Sequence, residues 1–179
     1  KTVELGPERP VAAVMRELAR GRDRLAGLFR GRFLPVMVPP WNRIAPDIAR
    51  ALPRHGFTGL STSGPRRAAR ISNVAGFRIA NVHIDIFQWR PRARFIGTEA
   101  ALAQAIGHLA ARRQRLVDID EPTGLMTHHR QHDAACWRFV DRFLAETASH
   151  PAVRWLPAPG VFPPATRGKC APESGSRSP

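Results

Sequence analysis

An α/β domain of parallel strand–helix–strand units is what this 179-residue chain predicts, on two observations. Apolar residues at helical spacing alternate along it with short apolar, β-branched runs. The polar residues with chemical potential cluster directly after those runs, where the carboxyl ends of parallel strands place reactive groups. A hydrophobic fraction of 43% suits one globular unit with a single core.

The elements follow in order. Pro10 suits the first turn of a helix, and Val11, Val14, Met15, Leu18, Leu25, Leu28 and Phe29 then recur at helical spacing with arginines opposite. Leu34 to Val38 reads as a buried strand stopped by Pro39 and Pro40. Pro46 to His55 reads as a helix ended by Gly56, and Gly59 to Thr62 as a short strand. Residues 63–75 form a Gly/Arg/Ser-containing loop, and Phe77 to Phe87 is β-rich. Thr98 is placed to cap a helix whose apolar face is Leu102, Ala105, Ile106 and Leu109. A strand at Leu125 to Thr127 runs into His128. Asp133 caps a helix carrying Trp137, Val140, Phe143 and Leu144, and Val153 to Leu156 reads as a last strand. The ordered domain spans 1–162. Residues 163–179, rich in Pro, Gly, Ser, Lys and Arg, read as a disordered tail.

The formal net charge is +14, and almost all of it is arginine scattered along the chain, with Lys1 and Lys169 the only lysines. Together with abundant Ala, Gly and Pro and no Tyr, that distribution reads as compositional bias rather than a polyanion site. No helix-turn-helix, RNP or zinc-finger pattern accompanies it, so no nucleic-acid partner is expected. No apolar run is long enough to span a bilayer. No charged-then-apolar leader is visible, which leans towards the cytoplasm, although the chain opens on Lys1 and not Met. Cys136 and Cys170 form no CxxC pair, and Cys136 reads as a small core residue. No Gly-rich loop follows a strand, which argues against nucleotide binding.

Three places carry candidate chemistry. At Val38-Pro39-Pro40-Trp41-Asn42-Arg43, two prolines and a tryptophan make a rigid apolar lip, and Arg43 offers a fork of donors for a carboxylate. At His83-Ile84-Asp85, His and Asp lie two apart on a strand and are expected on one face, with Trp89 four residues beyond Asp85. The segment from Gly124 to Asp133 holds His128, His129 and His132. A histidine at a strand end can act as general acid, oriented by a carboxylate. His128 and His132 are four apart, but Asp133 as helix cap puts His128 before the helix and spoils a two-histidine metal geometry. Each place also admits a plain structural reading: a proline turn, a surface His and Asp, and histidines bordering a loop.

In this order the three places resemble the motifs of the polysaccharide deacetylases of the NodB-homology type. Pro39-Pro40-Trp41 resembles an Arg-Pro-Pro-aromatic motif, Asp85 to Trp89 an Asp/Trp motif, and Leu125-Met126-Thr127-His128 a Leu-x-x-His-like motif. The resemblance runs from about Glu4 to Leu156. It implies a distorted (β/α) barrel, here incomplete and lacking its first strands, and hydrolysis of N-acetyl groups on amino-sugar glycans. By the same resemblance His128 is the general acid and Asp85 orients it, while Pro40, Trp41, Trp89, Leu125 and His129 contact the acetylated glycan.

Two departures accompany it. Val38 stands where the family arginine precedes the prolines, so Arg43 is the expected substitute. The chain also has no Asp-Asp pair and no histidine before His55. The family's catalytic base and its zinc or other divalent metal site are therefore not expected from this chain, no metal ligand is assigned, and the chain is expected to be inactive as it stands. Truncation upstream of Lys1 is the simplest explanation. It leaves the Leu34–Val38 strand as an open edge through which the chain is expected to self-associate. The competing readings are a glycan-binding scaffold without catalysis and an arginine-rich polyanion binder.

Overall fold

A computed structural model describes residues 3–67 and 76–162. The expectations for the tail beyond Phe162 and for 68–75 of the long loop lie outside the described residues.

Helix α1 (Val11–Phe29) starts directly after Pro10 and buries Val14 and Met15, with Val11 and Leu18 alongside. The stripe does not continue: Leu25, Leu28 and Phe29 are exposed. Strand β1 (Val36–Met37) leads through a 3-10 turn at Pro40–Asn42 to helix α2 (Pro46–Ala51). A further 3-10 turn, Leu52–His55, ends where Gly56 turns left-handed at φ 77°, which glycine adopts without a Cβ clash. Strand β2 (Gly59–Leu60) then pairs parallel with β1, and β3 (Arg78–Ile79) pairs parallel with β2. Met37, Ile48, Leu52, Phe57, Leu60 and Phe77 close the first core over the buried face of α1.

The β-rich run from Phe77 is broken in two places. Between β3 and β4 (Val82–Asp85) lies Asn81, a buried side chain that replaces ladder bonds. Its Oδ1 accepts from the backbone N–H and hydroxyl of Thr62, and its Nδ2 donates to the Gly64 carbonyl. The β2 segment continues past this point: the Val82 N–H donates to the Thr62 carbonyl, and Ser63 bridges Val82 in parallel. Beyond β4, β5 (Phe87–Gln88) turns back on β6 (Arg94–Phe95) as a small antiparallel pair.

Helix α3 (Thr98–Arg113) crosses back to β7 (Gly124–Met126), which pairs parallel with β4. Gly97, at φ 95°, takes the cap position expected for Thr98, and no side chain caps this helix. The buried stripe is Ala101, Ala105 and His108, while Leu102, Ile106 and Leu109 are exposed. Both stripes repeat at i, i+4 and i+7 and differ by one residue. Close approach of the helix to β4, where Gln104 bonds both backbone groups of Asp85, selects the small side chains.

Helix α4 (Ala134–Ala148) is capped as its sequence predicts, Asp133 Oδ1 accepting from the Cys136 N–H at 2.8 Å. It buries Cys136, Phe139 and Val140 in a second core with Ile84, Ile86 and Phe87. Trp137 and Leu144 point outward. No ladder forms at 153–156, where the chain is exposed and runs on to a last turn of helix, α5 (Ala158–Val161). Among the described residues the parallel strands follow one another as β1, β2, β3/β4 and β7, and no sheet closes on itself. No described helix is long and apolar enough to cross a membrane.

Candidate active site

The carboxyl ends of the parallel strands carry the chemistry. Asp85 is the last residue of β4, and His128 comes two residues after β7; the ladder sets Asp85 opposite Met126. That register brings His128 Nε2 to 3.1 Å from Asp85 Oδ1. A carboxylate oxygen only accepts, so the imidazole proton sits on Nε2. Nδ1 has no hydrogen-bond partner among the described residues and is the nitrogen left to exchange a proton with a ligand.

Both partners are held from behind. Gln104 of α3 accepts from the Asp85 N–H at 2.8 Å and donates to the Asp85 carbonyl at 3.2 Å, a two-point clamp on the strand end. Asp85 Oδ1 also accepts from the Phe87 N–H. His132 Nε2 accepts from the His128 N–H at 2.9 Å, closing the turn between them. Burial, and then the neighbouring His128, hold the His132 imidazole below its usual range, which keeps it a neutral acceptor. His132 therefore braces the loop and does not share a metal with His128.

Aromatic rings flank the pair. Trp89 lies edge-on to His128 at 5.1 Å and Phe87 at 5.7 Å, while Trp41 meets Trp89 at 6.4 Å. Trp41 and Asn42 both adopt left-handed backbone, φ 56° and 55°. For a tryptophan this costs on the order of 1 kcal/mol. It turns the ring outward, 70% exposed, at the end of the proline turn. Asn42 Nδ2 reaches Met126 Sδ at 3.8 Å, joining the β1 lip to the β7 end. Exposed aromatic faces beside an acid–base pair suit the apolar faces of a sugar ring.

The remaining sequence candidates are placed differently. Pro40 opens the turn that sets Trp41. Leu125 packs on the second core. His129 is exposed. Arg43 makes no ion pair among the described residues; it lines a separate open cleft with Thr62, Ser63 and Arg67.

His83 does not join Asp85. The β4–β7 ladder shifts register between Val82 and Ile84, and the His83 ring stacks on His108 of α3 at 3.5 Å with planes 16° apart. With the fully buried Glu121 these form a cluster whose donor atoms all lie within 4.8 Å of one another. Glu121 accepts from the backbone N–H groups of Arg66 and Asn81 at 2.8 and 2.9 Å, and His83 Nε2 stands 3.3 Å from it. Two features speak against a metal there. His83 Nδ1 accepts from the Gly124 N–H, so the neutral ring carries its proton on Nε2, the atom an ion needs. Stacked rings also aim their lone pairs side by side instead of at one point. Nor do the Asp85, His128 and His132 donors converge, since two of them are engaged with each other and the third with backbone. Among the described residues neither group fits the divalent metal that the deacetylase resemblance implies. Three elements contribute the buried cluster, so no spacing in the sequence points to it; an acidic residue just before a strand, here Glu121, is the one weak signal.

No protein-family model matches the chain, and no curated protein and no solved structure shows significant similarity to it.

Proposed function

We propose that this chain carries the general-acid and acetyl-binding part of a carbohydrate N-deacetylase acting on amino-sugar glycans. The observation that carries the reading is the Asp85–His128 contact at 3.1 Å, made at the ends of two adjacent parallel strands and flanked by Trp89. The resemblance in sequence assigns these same residues their roles. In this reading Trp41 and Trp89 hold the sugar, Asp85 fixes the imidazole, and His128 delivers a proton to the nitrogen of the departing amine. Among the described residues none fits the base or the metal-bound water that complete such a hydrolysis. The chain on its own therefore binds acetylated glycan and releases no acetate.

Calorimetric titration with chitotetraose tests the reading. Binding is expected, weakened several-fold to about tenfold by Trp89→Ala. Absence of binding, or binding indifferent to Trp89 and Trp41, overturns it. A glycan-binding protein without catalysis would use the same aromatic rings; it predicts no effect of His128→Asn on the affinity for an amine product over its acetylated parent.

A further inference from the structure

We propose that the open cleft beside the acid–base pair is an anion subsite that takes the carboxylate of an acidic sugar neighbouring the acetylated residue. The cleft, about 500 Å³, lies at the carboxyl ends of β1 and β2, the same edge that carries Asp85 and His128. Asn42 joins the two places, lining the cleft while its Nδ2 touches Met126 beside Asp85.

The charge in the cleft is unbalanced. Arg66 is spent on structure: its Nε donates to Asp118 at 2.8 Å and its Nη1 to the Ile79 carbonyl. Asp118 is thereby neutralised, and Glu121 is sealed in backbone bonds. Asn81 likewise uses its amide on Thr62 and Gly64. Arg43 and Arg67 remain, and among the described residues neither guanidinium has an ion-pair or hydrogen-bond partner. The exposed Ser63 hydroxyl lies in the same cleft. Two planar forks and a hydroxyl are donors matched to a carboxylate. This proposal deepens the deacetylase reading by naming its substrate as an acidic, acetylated glycan, and it rests on that reading for the neighbouring sugar.

The test compares two tetrasaccharides at fixed ionic strength by calorimetry: a hyaluronan tetrasaccharide, which alternates N-acetylglucosamine with glucuronate, and neutral chitotetraose. The acidic probe is expected to bind roughly tenfold more tightly. Arg43→Gln/Arg67→Gln removes that advantage and leaves chitotetraose binding unchanged. A second pair, Arg20→Gln/Arg24→Gln on α1, removes the same charge outside the cleft and keeps the advantage. The proposal falls if the acidic probe gains nothing, or if both double variants lose the gain equally, which makes it a bulk-charge effect. If chitotetraose binds without any arginine-dependent gain, the cleft assignment fails and the deacetylase reading stands. If only the acidic probe binds, through Arg43 and Arg67, the reverse holds; if neither binds, both fail.

Discussion

Burial, reinforced by the His83 ring stacked upon it, holds the His108 imidazole down from 6.5 to about 4. A base with a depressed pKa in the folded state takes up its proton first when unfolded, so stability is complete above 6.5 and declines as pH falls towards about 4. At about 1.4 kcal/mol per pH unit that interval is worth roughly 3 kcal/mol. Glu121 adds to the same trend. Burial pushes its carboxyl up, but His83 and the Arg66 and Asn81 N–H groups outweigh this and hold it below 4.5, so its contribution is lost as pH falls further. Denaturant melts across pH 7 to 4 should show this slope, and His108→Phe should flatten it between about 6.5 and 4.5. A wild-type stability flat through that window contradicts the assignment. At this scale the sequence was legible where a reactive residue directly follows an apolar run, as Asp85 and His128 do. Spacing singled out His83 beside Asp85 but gave little sign of its cluster with His108 and Glu121, which come together only through packing.

The site stands or falls with the β4–β7 ladder, since that pairing sets Asp85 against Met126 and so against His128. Gly124 begins β7 opposite Val82, and a Cβ there meets the Asn81 carbonyl at 2.5 Å and Val82 Cα at 3.0 Å. Both are backbone atoms that cannot step aside. Gly124→Ala should therefore cost about 1–3 kcal/mol, with amide exchange rising first along β4 and β7. Unchanged stability means the ladder is looser than described. Element existence was largely readable from periodicity. The α3 face was not, because two equivalent stripes run side by side and closeness to β4 chose the one with less apolar bulk. The expected strand at 153–156 found no neighbour to pair with.

For the molecule as a whole, the sheet has an unpaired side. β1 has β2 on one flank only among the described residues, and Val38 beyond it is 63% exposed. Leu28 and Phe29 on α1 and Ile106 and Leu116 around α3 are exposed as well. Free strand edges and uncovered apolar faces favour association, opposed by repulsion between chains of formal charge +14. Sedimentation should show association that grows with concentration and with added salt, which screens that repulsion, and Val38→Lys should reduce it. A monodisperse monomer at every salt concentration contradicts the open edge. The parallel order of strands was readable from their alternation with helices. The barrel that the resemblance implies is not visible in this arrangement: among the described residues no sheet closes on itself.

The central proposal is that Asp85 and His128, with Trp89 against His128 and Trp41 against Trp89, receive an acetylated amino sugar. The four tryptophans give four indole N–H signals, so a proton–nitrogen correlation spectrum of labelled protein titrated with chitotetraose reads these side chains directly. The Trp41 and Trp89 indoles and the His128 ring should shift together and saturate with one affinity. The Trp155 indole, which donates to Thr147 Oγ1 at the far end of α4, should stay in place. Shifts confined to Trp137 or Trp155, or none at all at saturating sugar, would contradict the account.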